Sequence, residues 1–251
     1  IDNAVEQFRT LITEQLARQN RMEAGEQAKD FANLPHLTIG ICGGDGIGPI
    51  ITHAGEDVLR FLLADDVAAG RVEFRDIDGL TIERRTEVGK AIPDDTLAAL
   101  KECDVILKGP TTTPHGGNLE SANVAMRREL DLYANVRPTC VPELGIDWVF
   151  YRENSEGEYA GSGSWLYKGK PNEVVIQDGV FSRHGCERII RYAFEVARAQ
   201  KRSLTSISKG NALNYSMVFW DQIFAEVAPE MIQFAVRKNR FFTRRQLKSD
   251  V

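Results

Sequence analysis

Apolar residues recur at every third or fourth position along some stretches of the chain and crowd into short runs along others, and the two patterns alternate. Val5, Phe8, Leu11, Ile12 and Leu16 are helically spaced within a polar stretch, which predicts an amphipathic helix in residues 1–30, packed on the body or on a partner chain, with Pro35 closing the arm. Leu37 to Cys42 reads as a buried strand, followed by Gly43-Gly44-Asp45-Gly46-Ile47-Gly48-Pro49 and a helix from Ile50 to Leu63. Strand, glycine turn and helix form the opening of an α/β unit.

Arg71 to Ile77 predicts a second strand, then two short helices, the later one starting near Pro93-Asp94-Asp95, where proline and acids favour a helix N-terminus. Asp104 to Leu107 is a short buried strand feeding the loop Lys108-Gly109-Pro110-Thr111-Thr112-Thr113-Pro114, which ends at His115-Gly116-Gly117. Ser121 is the expected N-cap of a helix through Asp131. The pattern then turns to strands at Ala134–Val141 and Asp147–Tyr151, an exposed glycine-rich stretch at 160–173, and a strand at Glu173–Gln177. A long amphipathic helix from Ser182 to Gln200, a strand at Leu204–Ser208 and a helix at Tyr215–Val227 complete the predicted elements.

Composition changes this picture little. A length of 251 residues allows one large domain or two small ones with a real core. Hydrophobic residues at 43% and charged residues at 27% are ordinary for a soluble globular protein. A net charge of -5 argues against a general nucleic-acid binder. Cys42, Cys103, Cys140 and Cys186 lie far apart with no CxxC pair, so neither a zinc site nor a dense disulfide framework is expected and a reducing cytoplasm is the default. No apolar run is long enough for a membrane span, and no secretory signal pattern is visible. The chain begins at Ile1 rather than Met, so it is expected to be processed, trimmed or only partly represented.

The chemistry concentrates between residues 120 and 159. Arg127, Arg137 and Arg152 stand there with Ser121, Asn123 and Tyr159, and a guanidinium grips a carboxylate through two parallel charge-assisted hydrogen bonds. Three of them suit a small molecule with several carboxylates held in one pose. A solvated helix face is the plainer interpretation for Arg128 beside Glu129. It is weaker for Arg137 and Arg152, which lie in or beside apolar strands, where an unpaired buried charge is expensive. The glycine loop at 43–48 lacks the dinucleotide spacing and serves as a tight strand-to-helix turn. Lys209 ends a predicted strand ahead of Gly210-Asn211, a common ligand-crevice position in α/β folds, although taken alone a loop lysine is the simpler view. Tyr159 is equally open to a packing role, the four histidines show no metal-site spacing, and the basic run Arg237 to Arg245 is most simply a solvated end.

Five motifs in order then resemble the isocitrate/isopropylmalate dehydrogenase family over residues 37–228: Gly44-Asp45-Gly46-Ile47-Gly48-Pro49, Lys108-Gly109-Pro110, Leu130 to Pro138, Arg152-Glu153-Asn154-Ser155-Glu156-Gly157-Glu158-Tyr159, and Lys209-Gly210-Asn211. The resemblance implies an α/β, two-domain fold whose large domain is incomplete in this chain. It implies oxidation of a 2-hydroxy acid with NAD or NADP and loss of the neighbouring carboxylate, with Mg or Mn as Lewis acid. By position, Arg127, Arg137 and Arg152 would clamp substrate carboxylates. Tyr159 would transfer a proton to the enolate carbon, and Lys209, reaching across from a partner subunit, would assist removal of the hydroxyl proton. Thr112 and Thr113 would sit near the substrate and the nicotinamide end, and Asn211 beside substrate or cofactor.

Within the family, the polar pair Ser121 and Asn123 resembles the isocitrate branch, because a third carboxylate wants polar partners where an isopropyl group wants apolar ones. Isocitrate is therefore expected first, and a tartrate, D-malate or isopropylmalate-type substrate second. The implied organisation is an arm at 1–34, the large domain's N-terminal part at 35–133, a smaller dimerising domain at 134–230 with a clasp-like segment near 160–182, and a divergent tail at 231–251. The family's metal-binding aspartates are not recognisable in the chain, Asp221 is expected on an ordinary helix, and Asp250 has no supporting motif. The resemblance further implies a homodimer with a shared active site, without nucleic acid or membrane. A non-catalytic metabolite-binding or regulatory subunit is the expectation of a different class.

Overall fold

The computed structural model describes residues 2–23, 29–31, 33–114, 119–160 and 163–237, which form two compact units, Glu26–Asp131 and Ile1–Gly25 with Leu132–Val251. The first element, α1 (Asp2–Glu23), belongs to the latter.

In the unit Glu26–Asp131, β1 (Leu37–Cys42) is the middle strand of a parallel sheet ordered β2 (Val72–Asp76), β1, β3 (Val105–Lys108). A central parallel strand is covered on both faces, so Leu-Thr-Ile-Gly-Ile-Cys is an almost unbroken buried run. Its register sets Ile39 beside Phe74 and Val105, and Cys42 beside Lys108. Between β1 and β2 come α2 (Gly48–Leu62) and the short α3 (Ala64–Ala68), the latter unexpected from sequence. Gly44 takes φ +72°, and a Cβ there would meet the Pro110 carbonyl, so the glycine lets the turn after β1 close against the loop after β3. Between β2 and β3, α4 (Ile82–Val88) is capped by the Thr81 hydroxyl and α5 (Asp94–Lys101) opens with two acids after Pro93. Cys42, Ile77, Leu80, Ile92, Leu100 and Cys103 pack with Ala125 and Met126 of α6 (Ala122–Glu129) as one core.

In the other unit, β4 (Ala134–Val141) and β5 (Ile146–Glu153) pair antiparallel, with Asn135 opposite Arg152 and Arg137 opposite Phe150. Residues opposite one another share a face, so Asn135, Arg137, Trp148, Phe150 and Arg152 line one side and Tyr151 the other. A second hairpin joins β6 (Gly163–Leu166) and β7 (Val174–Gln177). The glycine-rich stretch is therefore partly strand, with Ser164 buried, while residues 161–162 lie outside the described residues.

Two long helices complete this unit, α7 (Arg183–Gln200) and α8 (Ser216–Arg237). Cys186, Ile189, Ile190, Ala193, Phe194 and Ala197 follow the helical period and form the buried stripe of α7. They pack against Ile223 and Val227 of α8, with Phe194 stacked on Phe224 at 5.4 Å. Each large side chain so buried contributes about 1.5–3 kcal/mol. α8 runs past the expected end at Val227, to Arg237. The expected strand at Leu204–Ser208 does not form: its backbone joins no ladder, and Ser206 instead accepts a hydrogen bond from the Trp220 indole at 3.0 Å. Most of the basic run, Lys238 to Arg245, and Asp250 lie outside the described residues.

All four cysteines are free, and Cys140 alone is exposed. Burial pushes the Cys42 thiol up to about 11 and the Cys186 thiol to about 12, and raises Cys103 as well. Since the thiolate is the nucleophile, a mild alkylating reagent at neutral pH is expected to label one cysteine of the folded protein quickly, and peptide mapping is expected to find it at Cys140. Fast labelling of Cys186 would contradict the packing of α7.

Candidate active site

Five of the residues singled out from sequence lie in one unit (Thr112, Thr113, Ser121, Asn123, Arg127) and five in the other (Arg137, Arg152, Tyr159, Lys209, Asn211).

In the unit Glu26–Asp131 the residues gather around the loop that leaves β3. Lys108 donates to the Gly109 carbonyl at 2.7 Å and to Thr111 Oγ1 at 3.4 Å, and the Thr111 hydroxyl reaches Asn123 Oδ1 at 3.4 Å. Thr112 is fixed through its backbone from both sides: Asp45 Oδ2 accepts its N–H at 2.6 Å, and Arg85 donates to its carbonyl at 2.8 Å. Asp45 Oδ1 also accepts the Ile82 N–H, tying the glycine turn to α4. Arg85 is fully buried, and its other donors go to the carbonyls of Ala91 (2.8 Å) and Glu120 (3.0 Å). One guanidinium thus fixes the loop after β3 and the entry to α6 together. Burial lowers its pKa, and the Asp45 carboxylate opposes that.

Burial also lowers the pKa of Lys108, with Arg85 and Arg127 pushing in the same direction and Cys42 and Asp45 against it. Lys108 thus lies near enough to Arg85 and Arg127 to feel their charges, with Asp45 offsetting them. Ser121 takes the N-cap position of α6 with extended backbone, but its hydroxyl makes no cap hydrogen bond, contrary to expectation. Arg128 is half-buried rather than solvated, in a two-pronged pair with Glu120 at 2.9 and 3.1 Å, which raises its pKa. Thr112 and Thr113 are exposed, and His115-Gly116-Gly117 lie outside the described residues.

In the other unit, Arg137 and Arg152 share one face of the β4–β5 ribbon. Both are exposed, not buried as their apolar neighbours suggested, because a two-stranded ribbon covers only one of its faces. Their partners are neutral amides. Arg137 Nε donates to Asn135 Oδ1 at 2.8 Å, Asn135 Nδ2 donates to Asn154 Oδ1 at 3.1 Å, and Arg152 donates to that same oxygen at 3.1 Å. Asn154 is buried and anchored to the Leu132 carbonyl. The Arg152 guanidinium lies 5.6 Å from the centre of the Tyr159 ring, which brings Arg137, Arg152 and Tyr159 into one linked group. Lys209 and Asn211 are exposed in the loop before α8, where the Lys209 carbonyl accepts the N–H groups of Ala212 and Leu213. Asp221 lies on α8 as expected and accepts the Ser208 hydroxyl at 2.8 Å.

Sequence reasoning overlooked Arg85, Asn135 and Asn154 as the residues that hold these groups. Arg85 carried a signal, since it lies one helical turn from Ile82 on the inner face of α4. The two asparagines carried none, because only the ribbon register brings residues 135 and 154 together.

Residues 38–239 match the model of the isocitrate/isopropylmalate dehydrogenase family, and the chain belongs to that family of decarboxylating dehydrogenases. It is 36% identical over 216 residues to the 3-isopropylmalate dehydrogenase of Corynebacterium efficiens, covering 81% of this chain and 62% of that protein. To the decarboxylating D-malate dehydrogenase of Escherichia coli it is 36% identical over 214 residues, covering 78% and 59%. The crystal structure of isocitrate dehydrogenase from Methylococcus capsulatus superposes with a TM-score of 0.65 at 34% identity, covering 77% of this chain and 57% of that one. The chain thus spans about three fifths of the length of the relatives it matches. No helix among the described residues is long and apolar enough to cross a membrane.

Proposed function

We propose that the full-length protein oxidises a 2-hydroxy acid bearing a carboxylate on the neighbouring carbon, isocitrate first, passing a hydride to NAD or NADP and releasing CO2 to leave 2-oxoglutarate. The observation that carries the proposal is the pair Arg137 and Arg152: two cations on one exposed face, held by neutral amides and by no carboxylate among the described residues. Like charges placed so are relieved by an anion, and a guanidinium takes a carboxylate bidentately. Arg127 with Lys108 provides cationic donors in the other unit, and Ser121 with Asn123 provides the polar partners that a third carboxylate needs. Tyr159, oriented beneath Arg152, delivers a proton to the carbon that lost CO2, and Lys209 of a second copy helps withdraw the hydroxyl proton. Thr112 and Thr113 face the nicotinamide end and Asn211 the substrate or cofactor.

Among the described residues no three His, Cys, Asp or Glu side chains form a group that could hold a metal ion. The Mg or Mn of the family's reaction therefore finds no ligand set among the described residues. The protein works as a homodimer with a shared site, residues 35–133 forming the N-terminal part of the large domain and residues 134–230 the dimerising domain with a clasp near 160–182.

The relatives named for isopropylmalate and D-malate favour a second reading, a smaller or more apolar 2-hydroxy acid at the same arginines. A panel of isocitrate, 3-isopropylmalate, D-malate and tartrate, each with NAD and with NADP plus Mg or Mn, separates the two. Isocitrate is expected to lead in kcat/KM by about tenfold or more, the scale at which a pocket discriminates one substituent. A lead for 3-isopropylmalate would move the substrate and keep the reaction class.

A further inference from the structure

The arm α1 precedes the residues that match the family, yet it reaches the centre of the most chemically loaded loop in its unit. Leu11 and Arg18 are the buried residues of α1 among those described and lie two turns apart on one face. Arg18 is the unusual one. Its guanidinium lies 2.8 Å from Glu156 Oε1, with the arginine side chain 8% and the glutamate side chain 1% exposed. Its other terminal nitrogen donates to the Ser155 hydroxyl at 2.7 Å.

That loop holds two carboxylates close together. Glu153 folds back on its own chain, accepting the N–H groups of Ser155 and Glu156 at 2.9 and 2.7 Å and the Ser155 hydroxyl at 2.6 Å. Glu156 turns the other way, to the start of α7, where it accepts the Ser182 N–H and hydroxyl. It approaches so closely that a Cβ at Gly185 would lie within 2.6 Å of its carboxylate atoms. Arg188 of α7 donates to Ser155 and stands 4.0 Å from Glu153. A buried cation paired with Glu156, Arg18, comes from the arm.

We infer that α1 is a brace for the loop Glu153–Ala160: Arg18 supplies the buried counter-charge of Glu156, and so holds the segment that carries Tyr159 beside Arg152. A buried carboxylate stripped of its cation, with a second carboxylate three residues away, favours a loop that opens to water. Arg18 is a positioning residue, acting on Tyr159 through the loop. The docking stands on geometry alone, while its consequence for turnover rests on the reaction proposed above.

The test uses the full-length protein with Arg18→Met, Arg18→Lys, Glu156→Gln and the double variant Arg18→Met/Glu156→Gln. Methionine keeps an apolar stem in the slot and removes the charge. Hydrogen exchange at the amides of residues 154–160 is expected to speed up about tenfold or more in Arg18→Met, as for a local opening made easier. Lysine is expected to restore part of the protection. The double variant is expected to recover more than it loses, because a neutral amide needs no cation, giving clear non-additivity. On activity, Arg18→Met is expected to lower kcat with KM little changed. Unchanged exchange in Arg18→Met, or strictly additive effects in the cycle, would overturn the brace. A wild-type protein with no dehydrogenase activity would instead defeat the proposed reaction, and the exchange result would still decide the brace.

Discussion

Arg85→Ala is expected to destabilise the protein by about 2 kcal/mol or more, because it leaves three part-buried backbone carbonyls without their donor, and a carbonyl so stranded costs about 1–3 kcal/mol when fully buried. Arg85 itself is completely buried, so its truncation also removes packed side-chain volume. The loss is local as well as global. The carbonyls of Thr112 and Glu120 belong to the loop after β3 and the entry to α6, so amide exchange at residues 111–114 and 119–125 is expected to accelerate. Arg85→Lys is expected to recover only part of the loss, since one ammonium cannot reproduce a planar fork aimed at three acceptors. Urea unfolding of the full-length protein checks the figure. A change within about 0.5 kcal/mol, the range of an ordinary surface substitution, would mean that the carbonyls find other donors.

Lys209→Met is expected to have the opposite profile: a fall in kcat of about 10²–10⁴-fold, the usual contribution of a positioned acid or base, with almost no change in stability. The residue is exposed in a loop, and its structural contribution runs through its backbone carbonyl, which methionine keeps. A residue that merely packed would change neither rate nor fold there. A residue that merely bound substrate would raise KM and leave kcat. A loss confined to kcat therefore separates the proposed proton-transfer role from both. An unchanged kcat would remove Lys209 from the chemistry. Mixing this variant with an Arg152→Ala variant sharpens the test, because a site completed by the partner's lysine allows a hybrid dimer to regain activity that neither parent has.

Much of the architecture was legible because its residues obey a period. The run at β1, the glycine turn and the stripe of α7 follow directly from spacing, and each lies where the pattern placed it. What the sequence concealed depends on pairing. Leu204–Ser208 has strand-like composition, but a strand requires a ladder partner, and none of its backbone finds one. Arg137 and Arg152 looked buried from their apolar neighbours, whereas their burial depends on whether the second face of β4–β5 is covered. Ser121 has the right identity and backbone for a cap, yet its hydroxyl makes no cap hydrogen bond. In the site, charged residues stood out by type, while the amides that orient them and the arm that braces Tyr159's loop were invisible, because their partners lie far off in sequence.

The reaction itself is tested most directly by stoichiometry. Purified full-length protein given isocitrate, NAD or NADP and Mg or Mn is predicted to release one CO2 for each NADH or NADPH formed. Reduced cofactor without CO2 would make the protein a simple dehydrogenase, and neither product from any acid of the panel would contradict the assignment of Arg127, Arg137 and Arg152 to a decarboxylating site.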